Sequence, residues 1–210
     1  IVYSRRIGEE FLEYKFNNQH YFFNTSLDLA TKFLGKNNQG FSYGFLLAQA
    51  NVSTSFYNNE IPFNNIKSYY SIFRIQKNII NINSFLGLLA TSHDFKNSFS
   101  NVYSLDGLLS ISNCGCDFSF QEAYSNVNGF SGLGGTYEFD FKSNQFSIGK
   151  YSIPIYVEFW IKYDNFDDDF NISNLGYLYR SDLKTNHLGL SFNSYQNSIF
   201  LNSSIVIQNI

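Results

Sequence analysis

Methionine is absent from this sequence, proline occurs twice, and only 15% of the residues are charged. No run of about 18 apolar residues occurs either, so a membrane-spanning helix is excluded. Because there is no initiator methionine and no basic stretch followed by an apolar core, we expect a mature or truncated chain. The lysines and arginines are scattered and the net charge is -3, which argues against a nucleic-acid partner.

Cysteine is also scarce, since Cys114 and Cys116 are the only two. In a strand-like run, alternation points both side chains to one face, and a disulfide across this spacing would be badly strained. The three histidines are distant in sequence and show no ligand spacing. We therefore expect structural cysteines, no metal site and no cofactor.

Aromatic residues are abundant at 20% of the chain, a composition that favours strands over helices. Apolar and polar residues alternate with period two along nearly the whole sequence. The clearest runs cover residues 23–33, 133–141 and 151–163. In the last of these, one face is unbroken in its apolar character and has Tyr151 and Tyr163 at its ends, which suggests interfacial aromatic girdles.

The runs are longer than the strands of most soluble sheets and match a tilted strand that crosses a bilayer. Long connections, predicted at 8–21, 56–67 and 164–173, tend to alternate with short ones, such as 36–40 and 181–184. We predict an all-β fold in one domain, residues 1–210. Its architecture is an antiparallel up-and-down transmembrane β-barrel. This chain would contribute about eleven or twelve strands and would be an incomplete piece of a larger barrel.

Several segments resemble an uncharacterised bacterial outer-membrane β-barrel domain. Residues 2–8 read Val-Tyr-Ser-Arg-Arg-Ile-Gly, close to the family signature F-Y-S-R-R-I-G-R, with Glu9 in place of the final arginine. Further motifs of that domain are similar to residues 29–36, 43–50, 71–79, 86–91, 102–106 and 175–182, in the same order.

In that family the barrel follows a family-nine-type carbohydrate-binding domain, and its own function is not established. The resemblance implies an outer-membrane location and strands missing on the C-terminal side. It also implies a link to glycans through a sugar-binding domain that this chain lacks.

Charged residues at polar positions of the predicted strands carry both signs. We expect them to line the lumen and to neutralise one another across it. They are Arg6, Asp28, Lys32, Arg74, Asp106, Glu138, Glu158, Lys162 and Arg180. Arg6 belongs to this set and its neighbour Arg5 does not, because adjacent strand residues point to opposite faces. Such a network plugs or selects rather than catalyses.

Two further groups of acidic residues invite a chemical interpretation. Asp164 and the run 167–169 fall in a predicted long loop, but they lack the glycine and terminal glutamate of a calcium-binding EF-hand. A solvated acidic loop is the expectation. Glu138 and Glu158 would form a sugar-hydrolysing pair only at a separation that sequence does not give. With no nucleophile motif present, we predict that the chain is not an enzyme.

These observations predict a pore or surface platform in the bacterial outer membrane. Its partners would be outer-membrane lipid and small solutes or oligosaccharides. The alternative is a secreted or surface all-β adhesion or binding module, whose aromatic faces would pack in a sandwich core. Extraction that depends on detergent would separate the two hypotheses.

Overall fold

The computed structural model describes residues 12–16, 19–53, 66–95, 98–143, 146–148, 151–172, 181–196 and 199–209. These residues form strands and turns. The strands are β1 (Leu12–Phe16), β2 (Gln19–Lys36), β3 (Phe41–Ser53), β4 (Ile66–Asn78), β5 (Phe85–Phe95), β6 (Ser98–Ile111), β7 (Cys116–Val127), β8 (Phe130–Lys142), β9 (Phe146–Ile148), β10 (Tyr151–Phe166), β11 (Leu183–Gln196) and β12 (Ile199–Asn209).

All twelve strands belong to one sheet, and each pairs antiparallel with its neighbour in the chain, except that β8 pairs with β10 while the short β9 pairs only with β10. The predicted all-β, antiparallel, up-and-down architecture is therefore confirmed. The sheet is not closed, however. Among the described strands, β1 pairs only with β2 and β12 only with β11, whereas a barrel needs hydrogen bonds between its first and last strands. No helix in the described part of the chain has the length and apolar character to cross a membrane.

Turn residues explain where several strands end. Asn128 and Gly129 both have positive φ, 53° and 92°, and form the two-residue link between β7 and β8. This asparagine-glycine pair is the strongest short hairpin signal in a sequence. Between β2 and β3, the Asn37 side chain accepts hydrogen bonds from the backbone N–H groups of Gln39 and Phe41.

Up-and-down pairing places every second connection at the same end of the sheet. We call one end the loop end, where β3 leads to β4 and β10 to β11. We call the other the turn end, where residues 37–40, 79–84 and 112–115 connect strands. The predicted long connections 56–67 and 164–173 thus leave the sheet at one end, opposite 36–40, as expected.

The predicted alternation of loop length is wrong in three places. Residues 8–21 are not one loop, because β1 and β2 form a hairpin over residues 12–16 and 19–23. The loop end also contains the two-residue link 128–129, which is shorter than the turns 37–40, 79–84 and 112–115 at the opposite end. A turn is also wrongly predicted at 181–184, where β11 begins at Leu183 and pairs directly with β10.

Strand register divides the side chains between two faces. The apolar face carries rows such as Phe33, Phe45 and Phe73, and further along the sheet Phe139, Ile161 and Leu188. The polar face carries, between these positions, mostly serine, threonine, alanine, glycine and charged residues. Tyrosines recur in the loop-end half of the apolar face on four strands, at Tyr69, Tyr103, Tyr124 and Tyr163, while Tyr137 lies near the middle of β8.

Burial is reversed relative to a soluble sheet protein. Large apolar side chains of the apolar face are open, with Leu29 at 66% and Phe33 at 59% relative exposure. The buried positions instead include the polar-face serines Ser68, Ser100 and Ser125. Ala48, Ala50 and Tyr70 form a small buried apolar cluster on the same polar face.

Glu122 places a carboxylate in the middle of the apolar face. Glu122 shares the register row of Leu88, Leu105 and Gly135. Its carboxylate lies over Gly135, where an added Cβ would come within 2.7 Å of Oε1. The glycine therefore gives this side chain room to lie flat against β8.

Candidate functional site

The polar face of β2 to β11 is the candidate site, because it carries most of the charged residues that the sequence pattern selects. Register puts Lys32, Arg74, Asp106, Glu138, Glu158 and Lys162 on this one face. Arg6 and Arg180 lie outside the described residues. Among the predicted residues that the structure describes, Asp28 alone does not lie on the polar face.

Asp28 lies at an irregularity where β2 gains one residue relative to β3, between the pairs Leu27–Ala50 and Leu29–Gln49. Such a bulge changes the direction of a side chain. The Asp28 carboxylate accepts a hydrogen bond of 3.2 Å from Gln49 Nε2, and Gln49 belongs to the apolar face by its pairing with Tyr69. The placement of Asp28 in the lumen set is therefore wrong, because strict alternation does not anticipate a bulge.

Arg74 and Asp106 form a bidentate ion pair across β5. Arg74 Nη1 contacts Asp106 Oδ1, and Nη2 donates to Oδ2 at 2.6 Å. The pair passes over Gly87, where an added Cβ would lie 2.6 Å from Arg74 Nη2. A glycine in the intervening strand thus lets two charges on β4 and β6 meet. The planar guanidinium fits a carboxylate in this way, which fixes both side chains against the sheet.

Asp164 is the centre of a second polar cluster. It is 7% exposed and accepts hydrogen bonds from the hydroxyls of Thr136 at 2.8 Å and Thr185 at 3.1 Å. Lys162 Nζ lies 3.3 Å from the same carboxylate, and His187 Nε2 lies 4.0 Å away. Three adjacent strands therefore hold this side chain, and its charge is balanced by Lys162.

Sequence analysis assigned Asp164 to a solvated acidic loop, and that prediction is wrong. β10 continues to Phe166, so Asp164 is a strand residue. The alternation that places Lys162 on the polar face also puts Asp164 in the same polar row, so the alternation was correct here and the loop assignment was not. Asp167 is also bonded to the sheet, because its Oδ2 accepts a hydrogen bond of 3.1 Å from the Leu133 N–H. No metal-binding group of three or more His, Cys, Asp or Glu residues occurs in the described ranges.

The two glutamates considered as a hydrolytic pair occupy different levels of the sheet. Glu138 pairs in register with Lys162, whereas Glu158 pairs with Lys142 and accepts a hydrogen bond of 3.3 Å from Ser191. Their levels differ by four residues along β10, about 13 Å at the backbone. This spacing favours separate charge pairs over a shared reaction centre.

Ser68 and His93 make the one close serine–histidine contact that is seen among the described residues, with Oγ 2.6 Å from Nε2. Sequence analysis did not anticipate it. Ser68 is only 1% exposed, and the imidazole stacks on Tyr70 with ring centroids 4.3 Å apart. A nucleophile must reach its substrate, and this hydroxyl is enclosed. The contact joins β4 to β5 on the polar face.

The two cysteines lie at the turn end. Cys114 is in the turn before β7 rather than in a strand, and Cys116 is the first residue of β7. Both are free thiols. Cys116 Sγ lies 3.6 Å from the Cys114 backbone carbonyl oxygen. The expected strand position holds for Cys116 alone.

Taken as a whole, the site is a polar surface on one face of the sheet, with serine and threonine hydroxyls and two ion pairs, Arg74–Asp106 and Lys162–Asp164. It offers hydrogen bonds to a polar solute along its length and holds its charged groups in fixed positions. Comparison with protein-family models, curated proteins and solved structures finds no match to this chain.

Proposed function

We propose that this chain forms part of the wall of a bacterial outer-membrane β-barrel that passes or binds small polar solutes, including oligosaccharides. The apolar face contacts lipid and the polar face lines an aqueous interior. The proposal rests on the reversed burial: large apolar side chains are exposed while serine, threonine and aspartate are buried. A soluble protein rarely exposes such a continuous apolar surface, whereas lipid covers it at no cost.

Strand length and tyrosine position add support. Ten strands have eleven or more residues, enough for tilted strands to cross the hydrocarbon layer. The four tyrosines in the loop-end half of the apolar face match the position of an aromatic girdle. Tyr137 and Tyr163 also stack across β8 and β10, with ring centroids 6.1 Å apart.

The polar face suits transport or binding rather than chemistry. Arg74 is paired with Asp106 and Lys162 with Asp164, so these four charged groups are neutralised in pairs. Threonine and serine hydroxyls lie between these pairs. Neutral polar solutes can exchange water hydrogen bonds for such groups without large desolvation costs.

Cysteine labelling of adjacent positions tests the assignment of the faces. Both native cysteines are first replaced by serine, and Val157→Cys and Glu158→Cys are made separately. After reconstitution in lipid vesicles, we expect a lipid-soluble maleimide to label position 157 and a charged, water-soluble reagent to label position 158. Equal aqueous labelling of the two positions, or a protein that stays monomeric in water without detergent, would refute the membrane proposal.

Passage of solutes is measured separately, by the swelling of vesicles in neutral sugars of increasing size. Swelling that depends on sugar size supports a pore. Face-specific labelling without swelling would instead indicate a surface platform that binds solutes.

A further inference from the structure

The connection between β10 and β11 crosses the polar face of the sheet before it returns to β11. These strands are direct neighbours, so a two-residue turn would be enough to join them. Residues 167–182 join them instead. The chain returns to its starting point, because the Asp182 N–H donates to the Asp167 carbonyl at 3.2 Å. We call residues 167–172 the strap.

The strap runs away from β11 and crosses β8 towards β7. Asp167 extends the pairing with β8 through the Leu133 backbone, and the Phe170 N–H then closes a turn onto the Asp167 carbonyl at 3.1 Å. Beyond this turn, the Asn171 N–H donates to Ser125 Oγ on β7 at 2.9 Å. Ser125 belongs to the polar face, so the strap covers the side of the sheet that carries the paired charges.

Phe170 anchors the strap. It is 3% exposed, and its ring stacks on Phe166 with centroids 5.6 Å apart. Gly134 forms the floor beneath both rings, and an added Cβ there would lie 2.7 Å from Phe170 Cδ1. At Gly132, an added Cβ would meet the backbone of Asp169 and Phe170. Two glycines on β8 therefore allow the strap to lie directly on the sheet.

We propose that the strap is a fixed constriction of the barrel interior at the loop end, with an acidic margin that favours cationic solutes over anionic ones. This inference rests on the proposed function. In a barrel, a segment packed on the polar face occupies the cross-section of the passage. Asp168 and Asp169 are exposed on the strap, and residues 167–172 include three aspartates and no basic residue. Rings of carboxylates give pores a preference for cations.

Two measurements test the strap. Backbone hydrogen exchange at Asn171 in detergent micelles reports its packing, and single-channel conductance in planar bilayers reports its effect on ion flow. We expect Phe170→Ala to speed exchange at Asn171 and to raise conductance roughly twofold, since conductance follows the open cross-section. Phe99→Ala, an exposed phenylalanine of the apolar face near the same end, serves as the matched control and should change neither value. Phe170→Leu, a milder change, should shift both values less.

Charge is tested with Asp168→Asn and Asp169→Asn, which should lower the ratio of potassium to chloride permeability in a salt gradient. Faster exchange in Phe170→Ala with unchanged conductance would overturn the constriction, and an unchanged permeability ratio would overturn the acidic margin. If the inserted wild-type protein carries no current, the pore itself is refuted and the constriction with it, while slow exchange at Asn171 would still report a packed strap.

Discussion

At the scale of single residues, glycines decide which charged groups can meet. Gly87 lets Arg74 reach Asp106 across an intervening strand, and Gly135 lets Glu122 lie against β8. A side chain at either glycine would occupy the space of the charged group. The charge network is therefore specified as much by the small residues between the strands as by the charged residues themselves.

The Arg74–Asp106 pair gives the first prediction. Both side chains are partly buried, at 31% and 15% exposure, so removing one leaves the other charge with incomplete hydration. We expect Arg74→Ala or Asp106→Ala to lower the free energy of unfolding by roughly 1 to 3 kcal/mol. The double variant should lose less than the sum of the two. Unfolding in urea with lipid vesicles measures this, with the exposed Lys36→Ala as the control, and additive losses would show that the pair is not coupled.

Glu122 gives the second prediction, because its carboxylate lies in the middle of the apolar face. If that face contacts lipid, Glu122→Leu removes an unfavourable charge and should raise the free energy of unfolding in vesicles by about 1 to 2 kcal/mol. Glu138→Leu, on the polar face opposite Lys162, should have the reverse sign. Destabilisation by Glu122→Leu would mean that this carboxylate has a partner or faces water.

At the scale of elements, period-two alternation predicted the strands well. The runs 23–33, 133–141 and 151–163 all lie within strands, because alternation follows directly from the geometry of an extended chain. A feature that breaks the alternation was missed. The bulge at Asp28 depends on the neighbouring strand β3, which one sequence does not reveal. The extension of β10 to Phe166 follows the alternation and was missed because residues 164–173 were interpreted as a loop.

β10 gives the third prediction, since adjacent residues on it face different environments. Val157 pairs with Phe192 on the apolar face, and Glu158 pairs with Ser191 on the polar face. An arginine at 157 should cost on the order of 2 to 4 kcal/mol of unfolding free energy in vesicles if the position lies near the bilayer centre. Glu158→Arg is the matched control and should cost less, because its neighbours are polar. Equal costs at the two positions would contradict the separation of the faces.

At the scale of the whole molecule, the sheet is reversed in polarity and open at both edges among the described strands. Exposed edges offer unpaired backbone groups to further strands. Composition and alternation predicted the two faces, and the predicted transmembrane barrel has its apolar face outside. One strand with an apolar and a polar side is also compatible with a sandwich core, so the exposure of the apolar face becomes visible only when twelve strands are aligned in register.

The orientation of the two faces in lipid is the central claim, and the single tryptophan measures it. Trp160 lies on the polar face, paired with Asp140 and Gly189, whereas Phe159 pairs with Phe141 and Leu190 on the apolar face. Wild type is compared with a Phe159→Trp/Trp160→Phe variant in vesicles of brominated lipid. We predict strong quenching by bromine for the variant and weak quenching for wild type, with the order reversed for aqueous iodide. Equal quenching by brominated lipid at the two positions would contradict the account.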